Sequence, residues 1–255
     1  MINAESNFST PTASGLPKAF RLPKTALTAS FVVAFLAGPC LAATTCPIPS
    51  ATDLVLGIDK SKSIQKTDAA VWRPVANRFL SCVSSGHLSI YEIDGFTATK
   101  RPVFSEPVPV LKGHTVAAVR KFHDEMGLFK SQLVPALDTA FGDDYSSYKT
   151  DLFALLERAR EEHASAVVIF SDALATETLN LEQIHVTPET APALTARVMK
   201  KLGWERGSLK CDVWVVLPGT ASPPIGPNDR RDLKTFYDSL FGALGSNLKL
   251  FNDHM

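Results

Sequence analysis

The sequence predicts a three-layer α/β/α domain built on a mostly parallel sheet. Short runs of β-branched and aliphatic residues alternate along the chain with segments of helical periodicity, which is typical of parallel strands joined by helices. Several of these runs are almost continuously apolar, as strands buried on both faces require. The composition fits a globular domain, since 45% of the 255 residues are hydrophobic and 20% are charged.

Six segments are predicted to be strands. One of them, 101–110, carries prolines at 102, 107 and 109, and because proline cannot donate to a sheet ladder this segment fits an edge strand only. The other five are the apolar runs 54–58, 88–93, 166–170, 213–217 and 248–251.

Helical spacing of apolar residues fills the intervals between the strands. Apolar side chains recur at i, i+3, i+4 and i+7 in 152–159, and the same rhythm runs through 233–244 and ends before Gly245. Both segments are therefore predicted to be amphipathic helices. Further helices are predicted at 119–126, at 194–202 and at 71–83, the last with Pro74 in its first turn.

Residues 1–43 are predicted to be a cleaved secretory signal peptide. Basic residues precede an apolar run at 26–38, and the small-residue stretch 41–43 follows it. The run of about 13 residues is shorter than the roughly 20 that a spanning helix needs, so we expect cleavage after Ala42 or Ala43 and no stable membrane span afterwards. Residues 44–51 then form a short N-terminal segment, and 52–255 form the domain.

Export and charge limit the function further. The mature region lacks an Asn-x-Ser/Thr sequon, which favours a bacterial periplasm, with an extracellular location as the alternative. The chain has 26 basic and 26 acidic residues, giving a formal net charge of zero at pH 7. No strong positive field is therefore available, and nucleic acid is not expected as a partner.

Oxygen-bearing side chains follow the first predicted strand. Asp59, Ser61 and Ser63 form the motif Asp-x-Ser-x-Ser at its carboxyl end. In open α/β sheets ligands bind at this edge, and carboxylate and hydroxyl oxygens suit Mg²⁺, Mn²⁺ or Ca²⁺. Thr150 opens a predicted helix and Asp172 follows a predicted strand, so both are expected at the same edge.

These residues resemble the metal-ion-dependent adhesion site of the von Willebrand factor type A domain. That family uses Asp-x-Ser-x-Ser, a later Thr and a later Asp, and the resemblance covers essentially the whole mature chain in element order. It implies a Rossmann-like, mostly parallel sheet with one antiparallel edge strand. The five matching residues, which the resemblance implies as metal ligands, are Asp59, Ser61, Ser63, Thr150 and Asp172.

The resemblance also implies a function. A divalent cation, Mg²⁺ or alternatively Mn²⁺ or Ca²⁺, would be held partly through water, and an acidic side chain of a protein ligand would complete its coordination. Such a domain mediates protein–protein interaction or adhesion. It is a binding module and not an enzyme.

The sequence departs from the family pattern around the motif. Lys60, Lys62 and Lys149 would weaken metal binding by like-charge repulsion if their ammonium groups turned toward the site, whereas long lysine side chains also turn outward into water. The departures are Lys62 where glycine is common, Ile64 where Met is frequent, Ala173 for the Gly after the aspartate, and Tyr148-Lys149 for a Gly before Thr150.

Three cysteines are expected at the edge of the sheet opposite the motif. Cys46 precedes the first strand, Cys82 ends the first helix and Cys211 precedes a later strand. Export implies an oxidising compartment, in which three cysteines give one disulfide and one remaining thiol. Cys46–Cys82 and Cys46–Cys211 both satisfy this placement.

Two other functions fit parts of the sequence. One is a structural component of an envelope assembly whose metal site is vestigial. The other is a metal-dependent, phosphatase-like hydrolase of the haloacid dehalogenase type with Asp59 as nucleophile. The sequence disfavours the hydrolase because that family has Asp-x-Asp at this position and an acidic pair after the later hydroxyl strand, whereas Asp143-Asp144 precedes Ser171. Asp143-Asp144 fits a solvated turn better than an outer-shell pair of metal ligands.

Overall fold

Strands and helices alternate along the part of the chain that the computed structural model describes, namely residues 46–50, 52–142, 144–219 and 227–252. Within these ranges, no helix combines the length and apolarity needed to cross a bilayer. The elements are β1 Leu54–Asp59, α1 Lys66–Cys82, β2 His87–Ile93, β3 Phe104–Pro107, α2 Val116–Ala140, α3 Leu152–Glu161, β4 Ala166–Phe170, α4 Ala191–Leu202, β5 Asp212–Val216, α5 Arg230–Leu244 and β6 Asn247–Asn252.

The strands form one six-stranded sheet in the order β3-β2-β1-β4-β5-β6. All neighbouring pairs are parallel except β2 and β3, which are antiparallel. This arrangement confirms the predicted Rossmann-like sheet with one antiparallel edge strand. The chain moves from β1 to β2 on one side and returns to β4 on the other, so the topological switch point lies between β1 and β4, where open α/β sheets bind ligands.

Two hydrophobic layers cover the faces of the sheet. Val55 of β1 points into a layer formed with α3, α4 and α5, whereas Leu56 and Ile58 point into a layer formed with α1 and the C-terminal part of α2. The alternation along β1 therefore gives the three-layer architecture. Gly57 allows α3 to approach closely, because a Cβ atom there would lie 2.3 Å from Leu155 Cδ2.

Helices α1 and α2 differ most from their predicted extents. Helix α1 begins at Lys66 instead of residue 71, so Pro74 lies in the helix interior and not in the first turn. The Asp68 carboxylate explains the earlier start, because it accepts a hydrogen bond from Gln65 N over 3.0 Å and closes the first turn. Helix α2 runs well beyond the predicted 119–126 and continues through Pro135.

The disulfide joins Cys46 to Cys82, which decides between the two pairings that the sequence left open. The bond ties the segment before β1 to the last residue of α1. Cys211, at the entry to β5, is a buried free cysteine. The disulfide and the thiol both lie at the amino edge of the parallel strands, as the sequence predicted.

Candidate metal centre

The Asp-x-Ser-x-Ser loop lies at the switch point of the sheet. Asp59 is the last residue of β1, and the loop of Ser61 and Ser63 leads from it to α1. Ser61 forms an isolated parallel bridge with Ser147, and Lys62 N donates a hydrogen bond to Ser147 O over 2.8 Å. The loop therefore runs beside the segment that leads to Thr150.

Thr150 and the loop after β4 are held together by backbone contacts. Thr150 is buried, its N–H donates to Thr176 Oγ1 over 2.9 Å, and its carbonyl accepts from Thr176 N over 3.0 Å. Asp172 is the second residue after β4 and lies in the same loop. The hydrogen bonds between Thr150 and Thr176 therefore hold Thr150 against the loop that carries Asp172.

Asp59 is a buried carboxylate with both oxygens hydrogen-bonded. Its Oδ1 accepts from Ser61 N over 2.8 Å, and its Oδ2 accepts from Ser171 Oγ over 2.5 Å. Burial, and then repulsion from the neighbouring charge of Asp172, raise the pKa of Asp59 to about 7. These hydrogen bonds therefore orient the carboxylate without offsetting the loss of solvation.

Asp172 is only partly satisfied by the protein. Its Oδ1 accepts a hydrogen bond from Leu174 N over 3.0 Å, whereas its Oδ2 is buried and has no hydrogen-bond partner. Burial raises the pKa of Asp172, and the nearby Ser63 side chain opposes the rise. A buried carboxylate oxygen without a partner is uncommon, because leaving such a group unpaired costs free energy.

The donor set fits a hard divalent cation. Two carboxylates repel each other here, and the hydroxyl oxygens of Ser61 and Ser63 lie 2.8 Å apart beside them. A cation would reduce the repulsion and give the orphaned oxygen of Asp172 a partner. Across the described ranges, no three His, Cys, Asp or Glu side chains are grouped so that they could hold a metal. A metal site in this part of the chain would therefore depend on hydroxyl ligands as well as carboxylates.

The three lysines near the motif have partners outside the five candidate ligands. Lys60 Nζ donates to the carbonyl oxygen of Gly142 over 2.9 Å, at the end of α2. Lys62 Nζ lies 3.5 Å from the centre of the Tyr148 ring. Lys149 Nζ lies 2.7 Å from Glu177 Oε1. The ammonium groups are therefore held by a helix end, an aromatic ring and a glutamate.

The sequence did not assign roles to two residues that shape the site. Ser171 is buried beside Asp59, to which its hydroxyl donates a hydrogen bond, and the same hydroxyl accepts one from Ala173 N over 3.0 Å. Tyr237 of α5 donates to Ala173 O over 2.9 Å and so fixes the loop that carries Asp172. Ser171 directly follows a predicted strand, but its contact with Asp59 appears only when the ends of β1 and β4 are adjacent.

Two other positions that the sequence analysis singled out are Ala173 and the pair Asp143-Asp144. Ala173 has a φ of 65°, a conformation that favours glycine, so alanine occupies the backbone geometry of the family's usual Gly. Asp143 lies outside the described residues, and Asp144 is exposed.

Comparisons with known proteins add little to this geometry. No family model and no curated protein matches the chain. Among solved structures, the chain is similar to the manganese-loaded TRAP protein of Plasmodium vivax, with 13% sequence identity and a TM-score of 0.34. The match covers 71% of this chain and 66% of that one, so this chain spans slightly less than two thirds of that structure. A likeness of this size has no bearing on function. The fold class stands on the strand order and register of the sheet itself.

Proposed function

We propose that the protein binds a divalent cation, Mg²⁺ or alternatively Mn²⁺ or Ca²⁺, and uses it to engage a protein ligand through an acidic side chain. The observation that carries the proposal is the buried Oδ2 of Asp172, which has no hydrogen-bond partner and belongs to a carboxylate that repels Asp59. The residues that would hold the ion are Asp59, Ser61, Ser63, Thr150 and Asp172.

The protein's own groups prepare such a site. Ser61 N and Ser171 Oγ hold the Asp59 carboxylate in one orientation. Leu174 N binds Oδ1 of Asp172 and leaves Oδ2 available. When bound, the ion supplies positive charge and an open coordination position for a carboxylate oxygen of the partner. The role proposed is binding and not catalysis.

We also propose that the protein works outside the cytoplasm, in the periplasm or alternatively in the extracellular space. The disulfide between Cys46 and Cys82 supports this location, because disulfides persist in oxidising compartments. The signal peptide proposed for residues 1–43 lies outside the described residues.

A vestigial site in a structural component is the second candidate. It is favoured by the pKa of Asp59, which is about 7, since a proton on Asp59 would relieve the repulsion without a metal. The hydrogen bond between the Ser61 and Ser63 hydroxyls would likewise satisfy those groups internally.

Isothermal titration calorimetry with Mg²⁺, Mn²⁺ and Ca²⁺ distinguishes the two candidates. We expect the purified wild type to bind, and Asp59→Asn to weaken binding by at least about tenfold, because one of two ligand charges is removed. Asp94→Asn is the matched control, since Asp94 is another buried carboxylate at the same edge but is paired with Lys100. Its metal affinity should stay close to that of wild type. A wild type that binds none of the three ions at pH 8 would favour the vestigial site.

A further inference from the structure

Two exposed aromatic side chains lie on loops at the same edge of the sheet as the candidate metal centre. Phe96, in the loop after β2, is 70% exposed, and Tyr148, shortly before Thr150, is 81% exposed. Aromatic side chains left in water at one location are typical of binding surfaces, where rings supply large contact area. Other large hydrophobic side chains with high exposure in the described residues are aliphatic: Val71, Val110, Leu111, Val116, Leu128 and Val134.

Ser147 connects the two aromatic loops to the metal centre. Its carbonyl accepts from Lys62 N over 2.8 Å in the Asp-x-Ser-x-Ser loop, and its hydroxyl accepts from Gly95 N over 3.4 Å, next to Phe96. The loops also touch directly, because a Cβ on Gly95 would lie 3.0 Å from Lys149 Cβ. Phe96 and Tyr148 thus flank one continuous surface.

The backbone at each ring is held in place. Phe96 N donates to Asp94 Oδ1 over 2.7 Å, and Phe96 O accepts from Lys100 N over 3.1 Å. Tyr148 is bracketed by the turn in which the Ser147 hydroxyl donates to Lys149 O over 2.7 Å. Rings on such tethered loops lose less conformational freedom when a partner binds than rings on free loops.

Charge on this surface complements an acidic ligand. The Lys62 ammonium group lies 3.5 Å from the centre of the Tyr148 ring, so positive charge accompanies the aromatic side chain. Lys149, which follows Tyr148 in the chain, is neutralised by the Glu177 carboxylate, so Lys62 supplies the positive charge of this surface. A carboxylate-bearing segment would meet positive charge here in addition to the bound cation.

From this juxtaposition we infer that the partner presents its carboxylate within an apolar context, on an acidic residue that is close in sequence to an aromatic or large aliphatic side chain. The carboxylate would bind the cation while the apolar side chain packs against Phe96 and Tyr148. The inference rests on the proposed cation-dependent function and specifies the class of protein segment that this function recognises.

Selection from a random peptide display library tests the inference directly. The immobilised purified protein is exposed to the library in Mg²⁺, bound peptides are eluted with EDTA, and peptides that also bind Asp59→Asn are removed. We expect the remaining sequences to pair an acidic residue with a nearby aromatic or aliphatic residue. Enriched peptides are then synthesised and their dissociation constants measured.

Two double variants locate the apolar contact. Phe96→Ser with Tyr148→Ser should weaken peptide binding by at least about tenfold, as loss of two aromatic contacts at an interface predicts. The Mg²⁺ affinity should change by less than about threefold, since the Lys62 charge that the Tyr148 ring contacts is exposed to solvent. The matched control is Val116→Ser with Leu128→Ser on α2, two residues that are 71% and 61% exposed and lie outside the loops of Phe96 and Tyr148. The control should bind the peptides as wild type does.

The outcomes separate this inference from the function on which it rests. EDTA-eluted peptides without an apolar neighbour, or peptides that bind the aromatic double variant as well as wild type, overturn the inference and leave the metal-dependent function intact. Normal Mg²⁺ binding with no enriched peptide also overturns it. If the wild type binds no divalent cation, the proposed function fails first and the inference fails with it.

Discussion

The two ends of β1 carry aspartates in opposite environments. Asp53, just before the strand, is exposed, and its carboxylate accepts a hydrogen bond from His87 N over 2.8 Å, which stabilises the start of the β1–β2 ladder. Asp59, at the other end, is buried beside a second carboxylate, and burial, followed by repulsion from that carboxylate, raises its pKa. The amino edge therefore stabilises the fold, whereas the carboxyl edge holds charges that destabilise it. The proposed cation site would account for this concentration of unfavourable charge at the switch point.

Removing the disulfide is the change with the largest expected effect on the amino edge. Replacing both cysteines, Cys46→Ala with Cys82→Ala, should lower the free energy of unfolding by about 4 kcal/mol, because the bond closes a loop with a sequence separation of 36 and restricts the unfolded chain. Urea denaturation followed by circular dichroism measures the loss. Reduction of the wild type should reproduce it.

The same variant should leave metal affinity near the wild-type value under native conditions, since the disulfide and Asp59 lie at opposite edges of the sheet. A loss of metal affinity as large as the loss of stability would show that the two edges are coupled and would contradict the comparison.

The pH dependence of stability tests the carboxyl edge. The pKa of Asp59 is raised in the folded protein, from 3.8 to about 7, so the folded state holds a proton that the unfolded state releases. This contribution to stability is fully present below pH 3.8 and is lost as the pH rises through about 7. With metal chelated, the wild type should therefore lose about 2 kcal/mol more than Asp59→Asn does between pH 5 and pH 8.

Chemical denaturation of both proteins at a series of pH values, in EDTA, provides the measurement. Taking the difference between the two proteins removes the contributions of titrating groups that do not interact with Asp59, so the difference reports on Asp59 together with its neighbour Asp172. Parallel profiles for wild type and Asp59→Asn would mean that Asp59 is not destabilised by burial and repulsion, and the contrast between the two edges would disappear.

Strands β1, β4 and β5 were predictable because they are buried. The runs that became β1, β4 and β5 are apolar throughout and were recognised within a residue or two of their bounds. Helix α2 was predicted too short, because most of its length packs weakly and only Ala136, Leu137 and Ala140 near its end are buried. A helix with few buried residues leaves little hydrophobic periodicity to detect.

The disulfide pairing and the contact between Ser171 and Asp59 depend on the order of the strands in the sheet, which the sequence analysis did not predict. Cys211 directly precedes β5, and β4 separates β5 from β1, so the starts of β1 and β5 lie about 10 Å apart at the usual strand spacing. Cys82 instead ends α1, which returns from the far end of β1 to the same edge as Cys46. The contact between Ser171 and Asp59 has the same origin, since it exists only because β1 and β4 are neighbours.

The smallest expected effect concerns the lysines that replace small residues near the motif. Lys62 and Lys149 are positively charged residues close in sequence to the candidate ligands. Their ammonium groups contact the Tyr148 ring and the Glu177 carboxylate, respectively. The side chain of Lys149 is largely exposed, so solvent and salt screen its charge.

We therefore expect Lys62→Gln and Lys149→Gln to change the Mg²⁺ dissociation constant by less than about threefold at 0.15 M salt, because exposed charges that are already paired act weakly at a distance. Calorimetric titration of each variant beside wild type checks the expectation. Affinity that rises by tenfold or more in either variant would show that its ammonium group repels the ion. In that case the lysines would offset part of the negative charge of Asp59 and Asp172 at the carboxyl edge. The difference in charge between the carboxyl edge and the amino edge would then be smaller than the positions of the aspartates indicate.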